Sequence, residues 1–257
     1  MKSQQAGAVR RRQQIADHVV GRQSATVAEL AQLCRVSEMT IYRDLEELER
    51  QGVVRKFRGG VTAQPSAVFE SNVTYRLAAM RAEKESIARR AATLVEPGMS
   101  VMFDDATTTL ALARLVADVS PLTVATNYLE IIKLLSGSPG VDLIALGGSY
   151  DPTHDSFNGV QCVAAVEAMR VDAVFMSVSA VSEGHAFHQE QHVVAVKQAM
   201  LRVARRRVLL VDHSKLGRYA LQRLAPLSQF DTVIVDRGLS DDARRDLDDR
   251  GVPYQLA

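Results

Sequence analysis

The chain has 257 residues, with 31 Lys/Arg against 30 Asp/Glu, 47% hydrophobic and 24% charged residues, and two cysteines. This balance argues against a disulfide-stapled scaffold and a disordered polyampholyte, and the lack of a long apolar run argues against a membrane-spanning helix. Single domains usually hold roughly 100 to 200 residues, so two compact domains are expected. Arg10-Arg-Arg12 is followed by polar Gln13-Gln14 where a signal peptide would place an apolar segment, so the expected compartment is the cytoplasm. Cys34 and Cys162 fall in different predicted domains and read as reduced thiols, outside any disulfide or metal site.

The first patterned stretch runs from Thr26 to Leu45. Thr26 and Glu29 have the spacing of a capping box, and Ser37 stands where the N-cap of a following helix belongs, so two helix starts flank a tight turn. In the second helix Ile41, Leu45 and Leu48 fall at i, i+4 and i+7 and make one apolar stripe. Gly52 ends it. Val53-Val-Arg-Lys-Phe57 is strand-like, reaches a turn at Arg58-Gly-Gly60 and returns through Val61-Thr-Ala63, which predicts a wing. The pattern is that of a winged helix-turn-helix over residues 1–61, with Ser37, Met39, Thr40, Tyr42 and Arg43 as candidate DNA-reading residues and Arg55, Lys56 and Arg58 as phosphate contacts. Residues 1–60 hold 11 Lys/Arg and 7 Asp/Glu, leaving 20 and 23 for the rest, so the positive surplus sits at the DNA end. The plainer alternative is a helical hairpin with a solvated charged face. Tyr42 has two readings: a donor to phosphate or a partner for a thymine methyl, or a half-buried aromatic on the helix flank.

Small and polar residues around Thr62-Ala-Gln-Pro-Ser-Ala67 suggest a linker over 62–75, and 76–257 form the second predicted domain. A helical pattern from Arg76 to Val95 ends at Pro97-Gly98. Strand-like runs at 101–103, 122–126, 141–146, 173–179, 207–211 and 232–235 then alternate with helical runs at 108–116, 129–135, 160–169, 190–204 and 241–249, which predicts a parallel sheet covered by helices. Ligands of such sheets bind at the carboxyl ends of the strands. Those ends carry Asp104, Thr107, Thr108, Thr109, Thr126, Asn127, Gly147, Gly148, Ser177, Ser179 and Lys215. Thr107 to Thr109 open a helix, where free N–H groups favour an anion, Lys215 offers the neutralising charge, and Asp104 and Asn127 offer partners for sugar hydroxyls. The set suits a small phosphorylated polyol; the alternative is a capped helix and a solvated lysine. His185, His188 and His192, with Glu190 between them, have a spacing compatible with zinc, but without a cysteine or second cluster they are read as polar contacts to ligand or solvent, and no metal or other cofactor is expected.

These segments resemble the DeoR family of bacterial regulators. The resemblance rests on Val36-Ser37, Thr40-Ile-Tyr-Arg-Asp-Leu45, Leu48-Glu-Arg-Gln-Gly52 and Arg58-Gly-Gly60, and continues through Asp104, Thr107, Thr108, Thr126-Asn127, Leu146-Gly-Gly148, Val196-Lys-Gln-Ala-Met200 and Asp212-His-Ser-Lys215. Tyr42 departs from the family's arginine and Ala106 from its glycine. The resemblance implies an α/β protein in which a winged helix-turn-helix is joined to a parallel-sheet sensor domain like that of ribose-5-phosphate isomerase. It adds Lys197 to the effector-binding set. It also implies a homodimer or homotetramer that represses a carbohydrate operon and leaves double-stranded operator DNA when a phosphorylated sugar binds; activation in place of repression is the alternative sign. An isomerase is the other alternative, but the stretch Ser177-Val-Ser-Ala-Val-Ser-Glu183 offers only Glu183 as a base, so no enzymatic activity is expected.

Overall fold

The computed structural model describes residues 2–22, 24–50, 52–63 and 73–257, which fall into two compact units, Met1–Ala79 and Met80–Ala257. Most of the predicted linker lies outside the described residues. No helix among the described residues is long and apolar enough to cross a membrane.

The first unit runs α1 (Lys2–Arg22), β1 (Ser24–Thr26), α2 (Val27–Cys34), α3 (Glu38–Arg50), β2 (Val54–Phe57), β3 (Gly60–Ala63) and α4 (Val73–Ala78). The capping box forms: Glu29 N donates to Thr26 Oγ1 at 3.2 Å and Thr26 N to Glu29 Oε2 at 2.7 Å. Arg35 takes a left-handed conformation (φ 53°), and the Val36 N–H returns to the Ala31 carbonyl, which closes α2 and makes the turn. Ile41, Leu45 and Leu48 are buried with Ile15 and Val19 of α1 and Leu30 of α2. The wing strands pair antiparallel in the order β1-β3-β2. At Gly60 a Cβ would lie 2.7 Å from the Ala25 carbonyl oxygen, so the close approach of β1 requires glycine there. Helix α1, which the sequence reading did not anticipate, is fixed to α3 by the ion pair between Arg11 and Asp44.

The second unit runs α5 (Arg81–Ala92), β4 (Ser100–Phe103), α6 (Thr107–Val116), β5 (Leu122–Thr126), α7 (Leu129–Leu135), β6 (Val141–Ala145), β7 (Ser149–Asp151), β8 (Ser156–Asn158), α8 (Val160–Glu167) and β9 (Val171–Met176). It continues with β10 (Ala180–Ser182), β11 (His185–His188), α9 (Gln191–Val203), β12 (Ala204–Val211), β13 (Gln222–Pro226), β14 (Thr232–Val235), α10 (Asp241–Asp249) and β15 (Tyr254–Leu256). Seven parallel strands form one sheet in the order β15-β14-β12-β9-β4-β5-β6. The chain builds outward from β4 in one direction and from β9 in the other, so the switch point lies between these two strands, where α/β sheets open a crevice at their carboxyl ends.

Two sequence expectations change. The single helix over 76–95 is two, α4 and α5, because Met80 adopts a left-handed conformation (φ 52°) that α-helical hydrogen bonding cannot continue through. The strand expected to reach Ser179 stops at Met176, because the Ser177 N–H donates to Asp104 Oδ2 at 2.8 Å and leaves the ladder. The β7–β8 hairpin, the small antiparallel sheet β10-β11-β13 and edge strand β15 were not anticipated.

Behind the switch point sits a buried charge cluster. Lys197 of α9, 2% exposed, donates to Asp104 Oδ2, lies 3.0 Å from Asp105 Oδ1 and reaches the Ser177 carbonyl at 3.3 Å. Burial works against its charge, but the two adjacent carboxylates outweigh it and hold the ammonium above the ordinary lysine range. Lys197→Met therefore leaves buried carboxylates without their cation. We expect denaturant unfolding of the full chain to report a loss of about 3–5 kcal/mol in this unit; a change under about 1 kcal/mol would contradict the assignment.

Candidate DNA-reading helix and effector site

On α3 the side chains opposite the apolar stripe stand in solvent. Met39 is 64% and Tyr42 41% exposed, and Arg43 is exposed beside them. Tyr42, with more than half of its surface covered, fits both readings given for it. Ser37 and Thr40 are tied to each other (Oγ to Oγ1, 3.0 Å) and serve the helix start, where Thr40 N points at Ser37 Oγ at 3.4 Å. On the wing, Arg55 and Arg58 are exposed. Lys56 is held back: its Nζ lies 2.9 Å from Glu49 Oε2, while its backbone N–H donates to Glu49 Oε1 at 3.1 Å. Glu49 thus clamps the wing to the end of α3.

The strand ends of the second unit converge through a chain of hydrogen bonds. Asp104 accepts from Ala106 N at 3.2 Å, the Thr109 hydroxyl at 2.9 Å, Ser177 N and Lys197. Its carboxylate is thus occupied by the protein, and Asp104 organises the crevice from beneath instead of standing open to a sugar hydroxyl. Lys197 is likewise buried behind the crevice, and the Thr109 hydroxyl also reaches the Ala106 carbonyl at 2.7 Å. Asp105 accepts from Ser156 Oγ at 2.8 Å, and Asn158 Nδ2 donates to that serine at 2.9 Å. Gly148 comes so close to Asn158 that a Cβ would lie 2.4 Å from its carbonyl oxygen; Gly147 stands in open space.

The groups nearest the mouth are fewer. Lys215, 20% exposed, donates to the Val178 carbonyl at 2.7 Å and stands 3.4 Å from Ser177 Oγ. Thr107 and Thr108 lie in the first turn of α6, and Ser179 follows β9, all three largely buried. Thr126 accepts from Tyr128 N at 3.1 Å. Asn127 donates from Nδ2 to the Phe157 carbonyl at 2.9 Å, while its buried Oδ1 has no hydrogen-bond partner among the described residues. Ala106 sits in ordinary extended backbone (φ −98°), so the turn does not need a glycine for its conformation.

The end of β12 is a cationic end, where basic side chains act on Asp212. Burial opposes ionisation of Asp212, but Lys215, the Ser214 hydroxyl, Lys84 and Arg218 together hold its carboxyl below the usual range. The sequence reading missed Asp105, Ser156, Asn158, Lys84 and Arg218. Only Asp105 had a visible signal, a second aspartate directly after Asp104 at a strand end.

The chain matches the DeoR-like helix-turn-helix domain over residues 11–67 and the DeoR C-terminal sensor domain over residues 79–237. It is 35% identical over 239 residues to the HTH-type transcriptional regulator YgbI of Escherichia coli (strain K12), covering 93% of this chain and 94% of that one. It is 31% identical over 254 residues to the putative aga operon transcriptional repressor of Escherichia coli O157:H7, covering 97% and 94%. The L-fucose operon activator of Haemophilus influenzae is 29% identical over 222 residues, covering 86% and 89%. Among solved structures, ribose 5-phosphate isomerase A of Methanocaldococcus jannaschii is similar over 52% of this chain and 53% of its own, at 20% identity and a TM-score of 0.37. With both of its halves matched and relatives of this identity along nearly its whole length, the chain belongs to the DeoR family: it is a DNA-binding transcriptional regulator and not an enzyme.

Proposed function

We propose that this regulator is a cytoplasmic homo-oligomeric repressor of a carbohydrate-use operon. It binds double-stranded operator DNA through α3 and the wing and releases it when a phosphorylated sugar occupies the crevice at the sheet's switch point. The observation that carries the effector reading is the convergence on Ser177 of Lys215, at the cationic end, and of Asp104, which anchors the start of α6. An anion there meets an ammonium and the N–H groups of a helix start, and Asn127 Oδ1 is an unused acceptor for a sugar hydroxyl. A relative named for the L-fucose operon supports a carbohydrate pathway, and its being an activator keeps activation as the second reading. One winged helix buries too little surface for specific binding, which supports an oligomer.

Arg43→Ala should cost about 1–3 kcal/mol of specific operator affinity, since its exposed guanidinium matches a guanine edge. Gel shifts at wild-type affinity would remove α3 as the reading helix. Lys56→Ala should weaken binding to all sequences alike and flatten the salt dependence, whereas Glu49→Gln, which releases the ammonium, should strengthen it. Unchanged affinity in both would take Lys56 off the DNA.

Lys215→Ala should keep operator binding but bind the inducing sugar phosphate at least tenfold more weakly, because each charge-assisted hydrogen bond is worth on the order of 1.5–3 kcal/mol. Thr107→Val should act in the same direction with a smaller effect. Calorimetry showing wild-type effector affinity in Lys215→Ala would sink the pocket.

A further inference from the structure

A separate group of ligand-type side chains lies where the β7–β8 turn meets β11 and the start of α9. His154, 1% exposed, places Nδ1 2.7 Å from Asp151 Oδ2 and Nε2 3.3 Å from Glu190 Oε2. His188, also buried, places Nδ1 3.1 Å from the same Glu190 oxygen. His192 comes within 3.1 Å of Asp151 Oδ2 from the solvent side. His185, grouped with His188 and His192 by sequence spacing, instead has Nδ1 2.9 Å from the Glu183 carbonyl and takes no part.

We propose that His154 Nε2, His188 Nδ1 and the Glu190 carboxylate form a binding site for a divalent transition-metal ion of the zinc class. One ligand atom from each of these three residues lies within 4.8 Å of the others, a spread that a metal with bonds of about 2.0–2.2 Å closes with small side-chain movements. Asp151 completes the arrangement from behind: a carboxylate that accepts a hydrogen bond from His154 Nδ1–H fixes the tautomer and turns Nε2 outward. Nε2 and the Glu190 carboxylate oxygen, 3.3 Å apart, then face one another as two ligand atoms of the same cluster. Two imidazoles and one carboxylate select a borderline metal over Ca²⁺ or Mg²⁺, which take all-oxygen sets. Three protein ligands also leave a coordination position open for water or a ligand oxygen. The proposal departs from the sequence-based expectation of no metal. It was hidden because His154 and Asp151 lie more than thirty residues before the His-x-x-His run and come to it only through the unanticipated β7–β8 hairpin.

The test uses full-length, untagged, chelator-treated protein in equilibrium dialysis against Zn²⁺, repeated with Co²⁺ as a spectroscopic probe. Binding of roughly one Zn²⁺ per chain is expected, with Co²⁺ giving visible d–d absorption. Glu190→Gln and His154→Gln should each lower affinity at least tenfold, and Asp151→Asn, acting through His154, about 10- to 100-fold. If His154→Gln fails to fold, the near-isosteric Glu190→Gln decides alone. Uptake below about 0.1 equivalent by the wild type, or wild-type affinity in Glu190→Gln, would overturn the proposal.

Discussion

A lysine ammonium buried as deeply as Lys197 is stable only with anionic partners held in place, and the second unit is organised around meeting that condition. The partners come from the end of β4, as Asp104 and Asp105, and each carboxylate fastens something further. Asp104 pulls the Ser177 N–H out of the β9 ladder and holds the first turn of α6; Asp105 holds Ser156 and, through it, Asn158 and the β7–β8 hairpin. One buried interaction thereby sets the shape of the crevice at the switch point. The interaction has a chemical consequence as well. Burial holds the Asp104 carboxyl above its ordinary range in spite of the Lys197 ammonium, whereas at Asp212 burial is outweighed by Lys215 and its neighbours and the carboxyl stays below it.

Local rules were readable in the sequence where local chemistry decides structure. The Thr26/Glu29 capping box, the Ile41/Leu45/Leu48 stripe and the wing turn each depend on residues a few positions apart, and each forms as the spacing implies. The alternation of strands and helices after residue 100 was legible for the same reason. Elements stabilised by partners far along the chain were not legible: α1 is polar along much of its length and is held through Ile15, Val19 and the Arg11–Asp44 pair. Met80 carries no turn signature, yet it breaks the helix that periodicity extends through it.

The site residues divide along the same line. Asp104, Thr109 and Lys197 were picked out because they lie at strand or helix ends or match a family pattern. Their side chains are taken up by bonds across 73 to 93 residues of sequence or within the turn itself. A sequence motif marks that such residues are constrained without saying whether the constraint is contact with a ligand or support for it. Lys84 and Arg218 act on Asp212 only through the fold, by charge, and no periodicity announces them.

A ligand moves a regulator only by binding its two states with different affinities, so the effector's charge must act where the protein has charge to spend on it. The direct measurement is release of full-length protein from operator DNA, titrated in parallel with a panel of phosphorylated sugars and their unphosphorylated parents. Release by a phosphorylated member, with its parent sugar ineffective at the same concentration, is the predicted result. Equal release by the parent sugar would contradict a crevice whose cationic end reads phosphate.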